Sequence, residues 1–246
     1  MKRTFYAFAM CQSMFCAIPS PFHQWDEGAR SRMLVMLPVI GLEIGLLWVG
    51  LAYLCQYLAL PALVMGLILA AYPFLVTGSI HLDGFMDVTD AIKSCRNLER
   101  RREILKDPHV GSFAVLGCVL LMLAQFSFLA SLPEKVNLWI FLLIPAFSRC
   151  CSALAVLCLP PMSTSQYVNR ERSTASVMVL SLLLCAILAG GFLLCGIYGF
   201  ALIGGLVGHL LALQKGYRSL KGMNGDISGY ALTLSELVSI AVVTLI

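Results

Sequence analysis

Charge is scarce in this chain. Only 12% of its 246 residues are Asp, Glu, Lys or Arg, about half the roughly 25% usual in soluble globular domains. So little polar surface cannot cover the apolar volume of an ordinary water-soluble fold. Cysteine occurs ten times but never as Cys-x-x-Cys. Most copies (Cys55, Cys118, Cys150, Cys151, Cys158, Cys185, Cys195) sit inside apolar runs. They read as small buried hydrophobes, not as a zinc site or a disulfide framework. No internal repeat or low-complexity tract is present, and the composition excludes a disordered chain and a coiled coil. The short alternating segments of a membrane β-barrel are missing too.

Apolar residues are plentiful, at 59% of the chain with a mean hydropathy of +0.87. A membrane-crossing helix needs about 20 mostly apolar residues. The apolar runs are Met33–Tyr57, Leu58–Ile80, Ser112–Leu132, Asn137–Leu159, Ala175–Leu194, Gly199–Leu213 and Tyr230–Ile246. They predict an all-α, polytopic membrane bundle of about seven transmembrane helices, forming one membrane-embedded domain over 1–246. Pro61 and Pro73 mark the start and a kink of the second run. The first 20 residues pair Lys2 and Arg3 with an apolar stretch, as a signal peptide does. Gln12 and Ser13 interrupt the stretch, and Pro19 and Pro21 follow it without a clear cleavage site. An uncleaved helix at or dipping into the membrane interface is expected.

The basic residues set the orientation. With a cytoplasmic N-terminus, one face collects Lys2, Arg3, Arg30, Arg32, Lys93, Arg96, Arg100, Arg101, Arg102, Lys106, Arg170, Arg172, Lys215, Arg218 and Lys221. Lys135 stands on the other face and Arg149 within a span. This is the positive-inside pattern of a multi-pass membrane protein with an odd number of spans. No nucleic-acid partner is expected.

The acidic residues are informative where they gather. The longest loop on the basic face covers 81–111 and opens on Ser79-Ile80-His81-Leu82-Asp83-Gly84-Phe85-Met86-Asp87-Val88-Thr89-Asp90. Asp83, Asp87 and Asp90 fall at i, i+4, i+7, within about 60° of one another on a helix of 3.6 residues per turn. Three carboxylates on one face repel unless a cation lies among them. A hard divalent cation that also binds phosphate suits them, and Gly84 permits close backbone approach. His81 points away, either as a hydrogen-bonded interface residue or as a ligand contact. Residues 97–106 read as a charged surface helix that meets solvent and anionic lipid. Asp107 before Pro108 makes a turn or supplies a fourth carboxylate. Near the C-terminus, Gly222-Met223-Asn224-Gly225-Asp226 is a glycine-rich turn leading into a helix, a setting in which backbone N–H groups can meet phosphate. Inside the spans stand Glu43, Arg149, His209 and Glu236. Arg149 either holds a phosphate or pairs with Glu43 or Glu236.

The block Gly78–Asp90 closely resembles the signature of the cobalamin synthase (adenosylcobinamide-GDP ribazoletransferase) family. The resemblance continues through Glu103-Ile104-Leu105-Lys106-Asp107 to Val110-Gly111. It also takes in Leu37-Pro38-Val39-Ile40-Gly41, Ser148-Arg149 and the stretch from Gly222 to Glu236. The resemblance implies a magnesium-dependent transferase of the bacterial cytoplasmic membrane that joins adenosylcobinamide-GDP to α-ribazole, or to its 5′-phosphate, and releases GMP. Asp83, Asp87, Asp90 and Asp226 would hold Mg²⁺. Asp107 would accept the hydroxyl proton, Arg149 and Lys106 would neutralise the leaving group, and His81, Gly222, Asn224 and Gly225 would line the substrate site. A homo-oligomer, or association with other enzymes of the same pathway, is compatible with this. The chain departs from the family pattern at Ala17, where Arg is usual, and at Met223-Asn224. It also lacks a glycine-rich stretch over Pro160–Tyr167. Two rivals remain open. A CDP-alcohol phosphotransferase also uses aspartates at a membrane face, but its Ala-Arg after Asp-Gly is absent here. An ion-coupled transporter would use Glu43, Arg149 and Glu236 near the midplane.

Overall fold

The computed structural model describes residues 2–20, 22, 26–163, 165 and 173–246. Arg170, Arg172, Gln166 and Tyr167 lie outside the described residues. Ten α-helices run through the described chain: α1 (Lys2–Phe15), α2 (Glu27–Tyr57), α3 (Ala62–Val76), α4 (Ile80–Lys93), α5 (Leu98–Ile104), α6 (Ser112–Ala130), α7 (Ile140–Cys158), α8 (Thr174–Cys195), α9 (Phe200–Leu220) and α10 (Gly225–Leu245). No β-strand occurs among the described residues; their one bridge pairs Pro161 with Met223.

The molecule is a multi-pass membrane bundle. Five apolar helical runs are long enough to cross a bilayer: Arg32–Tyr57, Ser112–Ala130, Ile140–Cys158, Thr174–Leu220 and Gly225–Leu245. The run Thr174–Leu220 has 47 residues, about 70 Å of helix at 1.5 Å per residue, far more than a hydrocarbon core of about 30 Å. It doubles back at a 3₁₀ turn, Gly196–Gly199, where Gly196 takes φ +59°. There the Phe192 ring meets Phe200 edge-on at 5.1 Å. The two limbs hold 22 and 21 residues.

The second expected span is shorter than its apolar run. Helix α3 has only 15 residues, about 22 Å of rise. It reaches span length only together with α4, across a bend of 89°. Gly78 (φ +58°) and Ser79 (φ +61°) are both left-handed. Two such residues in succession break the helical hydrogen-bond ladder. The Ser79 N–H reaches the Phe74 carbonyl instead, at 2.8 Å. If α3 follows the membrane normal, α4 must lie along the membrane surface. Helices α9 and α10, by contrast, run longer than the apolar stretches of the sequence. Lys215 and Arg218 continue α9, since long basic side chains can reach out of the apolar zone.

Helix α7 is the core of the bundle, buried on nearly every side from Ile140 to Leu157. Helix α2 lies close against it because Gly41 and Gly45 face the α7 backbone. A Cβ at Gly41 would come within 2.5 Å of the Ala146 Cα, and one at Gly45 would strike the Leu142 carbonyl. Trp48 locks the same corner: its indole N–H donates to the Leu69 carbonyl at 3.1 Å, and its ring lies 4.7 Å from Phe141. Helix α1 folds back onto α2 and buries Ala7, Met10 and Cys11. Its end is tied to α3 by the Ala17 N–H donating to the Val76 carbonyl at 2.7 Å. Facing outward are Leu116, Leu120 and Leu123 of α6, Leu182 and Leu193 of α8, and Leu210 and Leu211 of α9. A water-exposed surface of this kind would drive aggregation; in lipid it is the expected face.

Gly45→Val forces the α2–α7 contact apart. Overpacking costs about 1–3 kcal/mol, so the thermal midpoint of the detergent-solubilised protein falls. Gly50→Val, at a position with open space around it, leaves the midpoint within experimental error. Equal midpoints for the two variants would refute the close-packed α2–α7 seam.

Candidate functional site

Helix α4 is two-faced. Leu82, Phe85, Val88 and Ala91 are buried, and the carboxylates of Asp83, Asp87 and Asp90 rise on the other side. The helix packs along α10 and α6. Its crossing with α10 is made of glycines. A Cβ at Gly84 would stand 2.9 Å from the Asp226 carbonyl oxygen and 3.0 Å from the Asp226 Cα. A Cβ at Gly229 would stand 3.1 Å from the His81 carbonyl. Phe85 stacks on Tyr230 at 5.6 Å, and the Thr233 hydroxyl donates to the His81 carbonyl at 3.2 Å. These contacts bring the first turn of α10, with Asp226, onto the carboxylate face of α4.

The loop that carries Asp226 is held from three directions. Asn224 caps α10: its Oδ1 accepts from the Ile227 N–H at 3.0 Å, and its Nδ2 donates to Asp226 Oδ2 at 2.6 Å. The Met223 N–H donates to the Pro160 carbonyl at 2.9 Å and the Met162 N–H donates to the Met223 carbonyl at 2.8 Å. A Cβ at Gly222 would lie 2.7 Å from the Met162 Cα. Gly222 therefore serves a loop–loop contact, and Gly225 is the first residue of α10. From α5, Arg102 donates through Nε to the Leu220 carbonyl and through Nη2 to the Lys221 carbonyl, both at 3.0 Å. It thereby satisfies the open carbonyl end of α9. The sequence marked Arg102 only as part of a charged surface helix. No local signal points to a cap delivered from 118 residues away.

The electrostatics identify the cluster. Helix α4 is not among the five runs long enough by themselves to cross a membrane. Burial, and then the charges of Asp83, Asp226 and Asp90, push the Asp87 carboxyl up to about 7. All four acidic residues expected to hold a metal therefore share one electrostatic neighbourhood. The donors are carboxylate oxygens, with the Asn224 amide beside them, a set suited to a hard divalent cation. Among the described residues no group of three or more His, Cys, Asp or Glu side chains stands in metal-holding geometry. The donor chemistry fits such an ion, although the side chains do not converge on one point. Two cavities flank the cluster. One, of about 480 Å³, takes Asp83 with Ser13, Cys16, Thr77 and Ser79. The other, of about 800 Å³, begins at Asp90.

The structure does not bring the remaining expected residues to this point. Asp107 is turned to His109: its Oδ1 accepts from the backbone N–H at 3.0 Å and lies 2.7 Å from Nδ1. These contacts, backbone first, hold its carboxyl below the usual carboxylate range. Lys106 is exposed on the same loop. Arg149 is 1% exposed. Its Nη1 donates to Glu236 Oε1 at 2.8 Å and to the Pro145 carbonyl at 3.2 Å, and Ser148 Oγ donates to the same Oε1 at 2.8 Å. The alternatives for Arg149 resolve to pairing with Glu236. Glu43 accepts from Gln12 Nε2 at 3.0 Å instead. His81 stacks on Phe15 at 5.9 Å, and its buried Nε2 has no partner among the described residues.

A family model described as cobalamin-5-phosphate synthase matches residues 7–244. A Clostridium perfringens (strain 13) protein named adenosylcobinamide-GDP ribazoletransferase is 33% identical over 252 residues, covering 100% of both chains. A protein of the same name from Clostridium botulinum (strain Alaska E43) is 33% identical over 98% of this chain and 97% of its own. Another, from Desulfitobacterium hafniense (strain Y51), is 34% identical over 82% of this chain and 81% of its own. No solved structure matches.

Two outcomes test this geometry. An acid whose folded pKa is raised from 3.8 to about 7 costs the folded state nothing while it is protonated in both states. Its penalty grows as pH rises from about 4 and is complete above about 7. In EDTA the thermal midpoint should therefore fall between pH 5 and pH 8, and Asp87→Asn should flatten that fall; an unchanged slope would remove Asp87 from a shared acidic cluster. Separately, Glu236→Gln leaves the Arg149 charge buried and unpaired, at a cost of about 3–5 kcal/mol. The double variant Arg149→Met, Glu236→Gln should recover much of the lost midpoint. Simple additivity of the two single changes would count against the pair.

Proposed function

The chain belongs to the cobalamin-5-phosphate synthase family, and on that premise we propose that it joins the cobinamide-phosphate part of adenosylcobinamide-GDP to α-ribazole or its 5′-phosphate, with release of GMP. The match along essentially the whole chain carries this reading. The carboxylate cluster at the α4–α10 crossing supports it, since phosphoryl transfer from a pyrophosphate to a hydroxyl needs positioning and charge neutralisation above all. The transporter alternative loses its basis, because Glu43 and the Arg149–Glu236 pair are engaged with protein partners.

In the reaction, the ribazole hydroxyl oxygen bonds to the phosphorus that carries cobinamide. The bond from that phosphorus to the bridging oxygen breaks, and GMP leaves with the electron pair. Asp83, Asp87, Asp90 and Asp226 would hold Mg²⁺, which when bound supplies positive charge to the pyrophosphate oxygens. Gly84 and Asn224 set the register of α10 against α4, and Arg102 fixes the loop between α9 and α10. The hydroxyl proton goes to a carboxylate oxygen of this cluster that the metal leaves free. Arg149 holds α7 to α10, and Lys106 belongs to the basic surface. The distribution of basic residues supports a cytoplasmic N-terminus, an odd number of crossings (seven fits) and a site on the cytoplasmic side, and the bacterial relatives support the inner membrane as its place.

The test is turnover by the purified protein supplied with adenosylcobinamide-GDP and α-ribazole, with and without Mg²⁺. Cobalamin and GMP should appear in equal amounts and only with the metal. Asp87→Asn and Asp226→Asn should each lose roughly 10²- to 10⁴-fold in kcat. A wild-type protein that releases no GMP would sink the proposal.

A further inference from the structure

Of the two cavities beside the carboxylate cluster, the one between the end of α4 and the start of α6 is the larger. Its volume, about 800 Å³, lies in the range of small-molecule sites. Asp90, Arg96 and Arg100 are among the side chains that line it. The turn that presents Arg96 is tightly built. Cys95 is left-handed (φ +53°), Ser94 Oγ donates to the Ala91 carbonyl at 2.8 Å, and the Arg96 N–H donates back to Ser94 Oγ at 3.5 Å. The Arg96 guanidinium has no hydrogen-bond or ion-pair partner among the described residues. Arg100 pairs with Glu103 at 2.6 Å, but both side chains are 62% exposed. Exposed pairs of this kind are worth about 0–1 kcal/mol and give way easily to a stronger anion.

Across the groove, α6 starts at Gly111, which offers no side chain to cap it. A side chain there would collide with the Asp90 carboxylate. The uncapped first turn, Ser112 and Phe113, therefore faces the same space as the two guanidiniums. Planar guanidiniums bind phosphate oxygens two at a time, and the open helix end adds to the attraction.

We propose that this groove is a phosphate subsite for a nucleotide substrate, with Arg96 as its principal contact and Arg100 as a second. The assignment to substrate rests on the transferase activity proposed above. That activity has two phosphate sources: the guanosine-side phosphate of the donor and the 5′-phosphate of a phosphorylated acceptor. In either case Asp90 places the bound phosphate next to the cluster.

The experiment uses the full-length protein in detergent and compares wild type with Arg96→Ala and Arg96→Lys. Inorganic phosphate and GMP binding are measured by equilibrium dialysis without turnover. KM and kcat are then measured for adenosylcobinamide-GDP, α-ribazole and α-ribazole 5′-phosphate. Arg96→Ala should weaken phosphate or GMP binding about ten-fold or more and raise the KM of one phosphate-bearing substrate by a similar factor. Its kcat should stay within about three-fold, and Arg96→Lys should recover part of the loss. A KM rise confined to α-ribazole 5′-phosphate assigns the subsite to the acceptor. A rise for the donor with either acceptor assigns it to the departing guanosine phosphate. Unchanged binding in Arg96→Ala overturns the site. Lost binding with every KM unchanged overturns its assignment to substrate. If wild type turns nothing over, the proposed function fails, while the dialysis still decides whether the groove takes phosphate.

Discussion

A helix that carries several carboxylates cannot continue straight along a hydrocarbon path, because burying each charge without a partner is costly. It can stay beside the bilayer only by turning along its surface. Gly78 and Ser79 make that turn, and the 89° between α3 and α4 is the constraint on which the rest depends. The turn lays the apolar side of α4 on α10 and α6 and gathers Asp83, Asp87 and Asp90 on its other side. It also sets the height at which α10 must begin, so that Asp226 meets α4 at Gly84. The proposed chemistry then needs no separate soluble domain. It sits where the membrane frame ends.

Much of this was legible in the sequence. Long apolar runs announce helices in lipid, and the i, i+4, i+7 spacing of Asp83, Asp87 and Asp90 announces a shared face. Gly84 could be read as a point of close approach because it sits between two of those aspartates. Other features could not be read. Ser79 is an ordinary residue in an unusual conformation, so the second apolar run looked like a full span. The hydroxyl and carbonyls that finish the site come from far along the chain: Thr233 reaches His81, and Arg102 reaches Leu220 and Lys221. Such long-range pairings leave no periodic trace. Asp107 illustrates the converse. Beside the family-like motif, its Oδ1 accepts from the His109 backbone, the turn that Asp before Pro also predicts.

Two buried polar contacts of different character hold the frame. Arg149 with Glu236 joins α7 to α10, and Gln12 with Glu43 joins α1 to α2. The first is a charge pair kept from water and supported by Ser148 and the Pro145 carbonyl. In an apolar bundle, where dispersion contacts hardly distinguish one helix rotation from another, such pairs fix which faces meet. The small-residue seam of Gly41 and Gly45 against α7 then sets how closely they meet.

The contact between Gly111 and Asp90 has a consequence for how this protein tolerates sequence drift. The space beside the Asp90 carboxylate is kept free by a residue with no functional group, so the smallest possible side chain added at position 111 would displace a charge. A survey that scores positions by chemical reactivity would rank Gly111 among the least interesting. By sterics it should be among the least replaceable, because its lone hydrogen atom is what leaves the Asp90 carboxylate its place.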